Sequence, residues 1–267
     1  MMLTDNKKLL DIFQKEIFFF DLDGTLYLDN ELFPGVLELI QYLRDENKHL
    51  FFLSNNSSKS TSDYLKKLQN LKLGTFREEL ILSQHPTIHY LKKNNFKKVF
   101  LLGNASLKEE FREEGFQLTD NEPEILVLAF DQELTYDKLV KASYFLQENL
   151  PYIATHLDDR CPTERGFIPD AGGIAALLEK TSERMPRSFG KPNEEMILFK
   201  IEQLNIPKQK AIMFGDRLYT DIRMGKNAQI ETCCVLSGET TRDMLKSSNL
   251  TPDYIINGIW EITELIK

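Results

Sequence analysis

Hydrophobic positions along the chain fall into two patterns that alternate. Short apolar runs occur at Ile17–Phe20, His49–Leu53, Lys98–Leu102, Ile125–Phe130, Tyr152–Ala154, Ala211–Phe214 and Thr232–Leu236. Runs of this length with little polar alternation predict strands buried on both faces. Between them, apolar residues recur at helical spacing. Val36, Leu37, Ile40 and Leu43 share one predicted face, as do Tyr64, Leu65 and Leu68; Leu139, Ala142 and Leu146; and Met196, Phe199, Ile201 and Leu204. Ile255, Ile256, Ile259 and the lone Trp260 predict core packing near the C-terminal end. Strands alternating with helices of this length imply βαβ units, hence an α/β fold with a largely parallel sheet. There is no internal repeat, low-complexity tract or long charge block.

Composition narrows the function classes. The 267 residues, 42% hydrophobic and 28% charged, suffice for a core domain with a smaller module. A formal net charge of −8 argues against a nucleic-acid polymer as partner, because such binding needs a basic surface to displace counterions. A small anionic substrate stays compatible when a metal and a few local donors hold it. Cys161, Cys233 and Cys234 show no metal-ligand spacing and read as free thiols in a reducing compartment. No apolar run approaches the ~20 residues that cross a bilayer, so no membrane role is expected. Asp11, Lys15 and Glu16 interrupt the N-terminal stretch, which makes a poor signal peptide; the expected location is cytoplasmic.

Open α/β sheets carry their chemistry at the carboxyl ends of strands, so the polar residues that follow the apolar runs matter most. Asp21-Leu22-Asp23-Gly24-Thr25 follows the first. A turn would explain Asp23–Gly24 but not a carboxylate directly after four apolar residues, where an unpaired charge is costly. Two acids one residue apart suit a nucleophile and a general acid–base beside a cation. Ser54-Asn55-Asn56-Ser57-Ser58 follows the second run. It can hold phosphoryl oxygens through hydroxyl and backbone N–H groups, or simply cap the next helix through Ser57, Ser58 or Ser60. Lys191, in Phe189-Gly190-Lys191-Pro192, is not part of a Walker A loop, since Met185 and Pro192 stand where that loop needs Gly and Ser/Thr. Beside an aspartate nucleophile it would neutralise a transferring phosphoryl group; alone it reads as solvated surface. Gly215-Asp216, with Asp221 five residues on, follows another strand. The two acids suit an oxygen-liganded octahedral cation, with a helix N-cap and an exposed helical acid as the alternative.

In order and kind, these four motifs resemble the haloacid-dehalogenase-like (HAD) phosphatases: DxDGT, then Ser or Thr, then Lys, then GDxxxxD. Leu28-Asp29, Pro34-Gly35, Ala129-Phe130-Asp131 and Pro169-Asp170-Ala171-Gly172-Gly173 are similar to the NagD-type, para-nitrophenylphosphatase-like subfamily. Ser54 departs mildly from the Thr of many relatives. The resemblance implies a Rossmann-like core from residues 1–80 and 188–267, with an α/β cap inserted over 81–187 that selects the substrate. It implies Asp21 as nucleophile and Asp23 as acid–base. Mg2+ would be held by Asp21, the Asp23 carbonyl and Asp216. Ser54, Asn55 and Lys191 would grip phosphate, with Asp221 supporting. Within the cap segment 155–165, His156, Asp158 and Arg160 are candidates for choosing the leaving group, though each reads equally as loop surface. The implied partner is a small phosphomonoester such as a nucleotide, sugar or glycerol phosphate, and caps of this kind can mediate a homodimer.

Two other readings use the same residues. A phosphomutase or phosphotransferase would share the aspartyl-phosphate, but mutases of this superfamily usually carry their cap between the first two motifs. A non-catalytic phosphometabolite-binding protein would not need Asp23, Lys191 and Asp216 together.

Overall fold

A computed structural model of the chain describes residues 3–163 and 165–266. Residues 1, 2 and 267 of the expected core and Glu164 of the expected cap segment lie outside it, as does the side chain of Pro162. The chain forms two compact units. The first comprises residues 1–54, 65–81 and 191–267, and the second residues 55–64 and 82–190.

Strands are numbered β1–β15 in chain order. The first unit is built on a six-stranded sheet of order β15-β14-β13-β1-β4-β5, with β1 Ile17–Asp21, β4 His49–Ser54, β5 Leu80–Leu82, β13 Ala211–Gly215, β14 Glu231–Val235 and β15 Tyr254–Ile256. The pairs from β15 through to β4 are parallel. Every residue of β1 and β13 is buried, as expected of a sheet covered on both faces. Alternate residues go to opposite sides. Ile17 and Phe19 join Phe51, Leu53, Met196, Ile197, Ile201 and Met213 in one cluster. Phe18, Phe20, Phe52 and Phe214 stack on the other side, with Phe20 and Phe214 centroids 4.9 Å apart. Ile255, Ile256 and Ile259 are buried, and the first two belong to the edge strand β15.

Helix Val36–Asp45 departs from its predicted face in one respect. Leu37 is 40% exposed, and Leu39 takes its place beside Val36, Ile40 and Leu43. With 3.6 residues per turn, position 39 lies nearer that stripe than position 37. A hairpin of β2 Tyr27–Leu28 and β3 Glu31–Leu32 follows the first motif.

The second unit has its own parallel sheet of order β12-β9-β8-β6-β7, with β6 Lys98–Leu102, β7 Gln117–Leu118, β8 Ile125–Leu128, β9 Tyr152–Ala154 and β12 Arg187–Ser188. Val99, Leu101, Ile125 and Val127 pack with Leu107 and Phe111 on one face. Phe100, Leu102, Leu126 and Leu128 pack with Ala142, Leu146, Ile174 and Leu178 on the other. The run expected to reach Phe130 leaves the sheet after Leu128. An antiparallel hairpin, β10 Arg160–Thr163 with β11 Gly166–Pro169, completes this unit.

Candidate active site

Parallel register brings the strand-end motifs of the first unit to the carboxyl end of its sheet. Asp21 pairs with Leu53, and Phe20 with Phe214, so Asp21, Ser54 and Gly215–Asp216 end neighbouring strands at the same level. Asp21 and Ser54 are both buried. After Asp21 the backbone curls sharply: Leu26 N donates to Leu22 O at 2.9 Å and Gly24 N to Tyr27 O at 2.7 Å. Gly24 adopts φ +85°, and a Cβ there would lie 2.6 Å from Asp216 Oδ2, so conformation and space both demand glycine. The curl turns Thr25 back to donate its hydroxyl to Asp21 Oδ2 at 3.3 Å.

Asp221 reaches the same place through a π-helical turn, Leu218–Ile222, leading into helix Arg223–Ala228. A Cβ on Gly215 would fall 2.2 Å from the Asp221 Cβ, which is why the strand ends in glycine. Fully buried Asp221 accepts from Arg217 N at 3.1 Å through Oδ2, and Lys191 Nζ lies 2.7 Å from Oδ1. The same ammonium bonds to Asp21 Oδ1. Burial opposes the charge of Lys191, but Asp21 and Asp221 outweigh it and hold the ammonium above the ordinary lysine range.

Asp216 is the anomaly of this group. Its Oδ2 accepts from Glu239 N at 2.6 Å, whereas Oδ1 is buried without a hydrogen-bond partner among the described residues. Lost hydration and the charges of Asp21 and Asp221 push its carboxyl well above the usual aspartate range. One oxygen from each of Asp21, Asp216 and Asp221 lies within 4.8 Å of the others. A buried three-carboxylate group with one lysine among it is short of positive charge. The all-oxygen donor set and the orphaned Oδ1 therefore fit a hard divalent cation.

Asp23 stands outside the group of three carboxylates and keeps 53% of its side chain exposed. Lost hydration, with the nearby Asp21 charge, holds its carboxyl above the usual range against the opposing pull of Lys67 and Tyr27. The Tyr27 hydroxyl donates to Asp23 Oδ2 at 3.1 Å, and Lys67 Nζ stands 3.6 Å from Oδ1. Sequence reasoning missed Thr25, Tyr27, Lys67 and the Glu239 N–H. No local signal marks the last three, since their role depends on a bond the fold creates.

Asn55, Asn56 and the three expected cap residues belong to the second unit. Asn55 Nδ2 donates to Asp158 Oδ1 at 3.0 Å, and Ser83 Oγ donates to the Asn55 carbonyl at 2.7 Å. A Cβ on Gly190 would sit 2.7 Å from both Asn55 Oδ1 and His156 Cβ. His156 is fully buried, with Nε2 2.9 Å from Asp170 Oδ1 and Nδ1 3.1 Å from Thr155 Oγ1 and 3.4 Å from Ser57 Oγ. Both ring nitrogens are thus engaged inside this unit. His156, Asp158 and Asp170 also come within 4.8 Å of one another, but His156 and Asp170 pair together and Asp158 has Asn55. Arg160 is exposed on β10, its guanidinium 4.2 Å over the Phe167 ring. Of the serines offered as helix caps, Ser60 takes that part, accepting from Asp63 N at 3.3 Å. Ser57 instead accepts from Phe130 N at 3.0 Å.

Comparison with known proteins gives the same reading of the whole chain. A family model described as haloacid dehalogenase-like hydrolase matches residues 18–117, and a second, HAD-hydrolase-like, matches 188–262. The chain is 30% identical to a 4-nitrophenylphosphatase of Schizosaccharomyces pombe, covering 97% of this chain and 96% of that protein. It is 29% identical to an acid sugar phosphatase of Staphylococcus saprophyticus, covering 92% and 95%. Among solved structures, the 4-nitrophenylphosphatase of Thermotoga maritima superposes with a TM-score of 0.91 at 39% identity, covering 96% of this chain and 99% of that one. NagD of Escherichia coli K-12 superposes at 0.86 with 28% identity, covering 92% and 97%. The chain belongs to the haloacid dehalogenase-like hydrolases, in the branch of NagD and the 4-nitrophenylphosphatases, and is a phosphoric monoester hydrolase.

Proposed function

We propose that the protein hydrolyses a small phosphomonoester in two displacements through an aspartyl-phosphate on Asp21, with Mg2+ bound. The observation that carries this reading is the buried group of Asp21, Asp216, Asp221 and Lys191, with the Asp216 Oδ1 left unpaired. In the first displacement an Asp21 carboxylate oxygen bonds to phosphorus as the bond from phosphorus to the alcohol oxygen breaks. Asp23 gives its proton to that departing oxygen. In the second, the ionised Asp23 takes a proton from water as the water oxygen bonds to phosphorus. The acyl-phosphate bond breaks, inorganic phosphate leaves, and both aspartates return to their starting forms.

Asp21, the Asp23 backbone carbonyl and Asp216 would hold the Mg2+. When bound, it supplies positive charge against the phosphoryl oxygens and the clustered carboxylates. Lys191, fixed by Asp221, would neutralise the transferring group. Ser54, and Asn55 next in the chain, would donate to its oxygens. Residues 81–187 would select the leaving group. Of the three residues singled out there, Arg160 is the one with an exposed charged side chain, while Asp158 is engaged with Asn55. The names of the relatives support sugar phosphates and aryl phosphates as the substrate class to try first.

Purified protein should hydrolyse para-nitrophenyl phosphate with Mg2+, lose activity in EDTA and regain it on adding Mg2+ back; Asp21→Asn should be inactive under all three conditions. Failure to turn over any member of a broad phosphomonoester panel with any divalent metal would overturn the proposal.

A further inference from the structure

Asp23 has two neighbours whose placement goes beyond packing. Tyr27 is fully buried, four residues on in the hairpin strand β2, so its ring is fixed by its surroundings while its hydroxyl reaches Asp23 Oδ2 at 3.1 Å. Lys67 comes from helix Thr61–Asn70, distant in the chain. Its ammonium stands 4.3 Å from the Tyr27 ring centroid and 3.6 Å from Asp23 Oδ1. One cation thus lies over the ring and beside the carboxyl that this ring's own hydroxyl holds. An aspartate with half its side chain in solvent would otherwise sample several rotamers, and a shift of about 1 Å in a reacting group can cost about a hundredfold in rate.

We infer that Tyr27 and Lys67 are positioning residues that clamp Asp23, Tyr27 through its hydrogen bond to Oδ2 and Lys67 from beside Oδ1, and so hold its carboxyl in one orientation toward the leaving group. This rests on the acid–base role proposed for Asp23. The clamp acts on proton delivery to the departing oxygen, so its effect depends on how much that oxygen needs a proton. An alkoxide needs one; para-nitrophenolate leaves without one. A merely structural role for Tyr27 would weaken turnover of both substrates alike.

The test compares kcat/KM, which reports the steps through leaving-group departure, for glycerol phosphate and para-nitrophenyl phosphate on the Mg2+-loaded protein. In Tyr27→Phe the ratio of glycerol phosphate to para-nitrophenyl phosphate should fall at least about tenfold below wild type. Lys67→Met, on a partly exposed side chain, should move the ratio the same way by a smaller factor, and Lys67→Arg should restore it. Lys67→Met carries the test if Tyr27→Phe does not fold. An unchanged ratio in the folded variants overturns the clamp. Asp23→Ala separates this from failure of the underlying reading: if it too leaves the ratio unchanged, the acid–base role itself is wrong. If it lowers the ratio and Tyr27→Phe and Lys67→Met do not, only the clamp falls.

Discussion

At the scale of single residues, the site is a matter of charge balance in a poorly hydrated place. Lys191 is 6% exposed and lies between Asp21 and Asp221, which are themselves buried. Removing one member of a buried pair leaves an uncompensated charge, which destabilises far more than the pair contributes. Lys191→Met should therefore lower stability by about 3–5 kcal/mol, measured by denaturant unfolding in EDTA. The same change should lower kcat/KM with Mg2+ by about a hundredfold or more. Much of this group is visible in the sequence, because Asp21, Ser54 and Asp216 each follow an apolar run, and a polar residue there must have a use. Tyr27 and Lys67 are not visible that way. A tyrosine beginning a hairpin and a lysine on a helix are ordinary residues until the fold sets both beside Asp23. His156 shows the opposite limit: its position in a polar cap segment suggested a substrate contact, and its ring is occupied by Asp170, Thr155 and Ser57.

At the scale of elements, strands whose two faces are both buried were legible as apolar runs, and β1, β4, β6, β9, β13 and β14 follow the pattern closely. The three-residue β5 and β15 were not read as strands, because apolar runs this short fit a buried helical turn as well as a strand. Helix Thr61–Asn70 depends on a partner that its own sequence does not reveal. Glu110, on helix Ala105–Glu113, accepts from Thr61 N at 3.1 Å and from the Thr61 hydroxyl, with His85 Nε2 3.5 Å away. Burial resists its ionisation, but the His85 and Thr61 bonds win and hold the carboxyl down to about 2. A folded-state value below the unfolded 4.5 stabilises the protein above pH 4.5 and is lost as pH falls toward 2. Glu110→Gln should accordingly be less stable than wild type at pH 7, by up to about 3 kcal/mol, and the difference should shrink toward zero near pH 2 in urea unfolding.

At the scale of the whole molecule, the sequence predicted one inserted segment at 81–187, whereas contacts group residues 55–64 with 82–190. That grouping rests on bonds between distant parts of the chain, such as Asn55 to Asp158 and Thr61 to Glu110, which no local periodicity encodes. Among the described residues no helix is long and apolar enough to cross a membrane. A cation bound at Asp216 would tie the global stability to metal. The Asp216 carboxyl is held above its unfolded value, so from about pH 4 upward the unfolded chain ionises there first and folding weakens as pH rises. Metal-free protein should lose melting temperature over that rise more steeply than Asp216→Asn. Mg2+ should raise the melting temperature of the wild type near pH 7 and leave that of the variant almost unchanged. Equal slopes and equal Mg2+ shifts in the two proteins would contradict the ligand role of Asp216.

In the proposed reaction phosphorus is bonded to Asp21 during turnover. Its most direct test is acid quenching of the Mg2+-loaded enzyme during steady-state hydrolysis, followed by peptide mass spectrometry at low pH, where acyl phosphates survive long enough to detect. One phosphorylated peptide is expected, containing Asp21 and absent in Asp21→Asn. Sustained turnover with that peptide unmodified, or with the phosphoryl group on another residue, would contradict it.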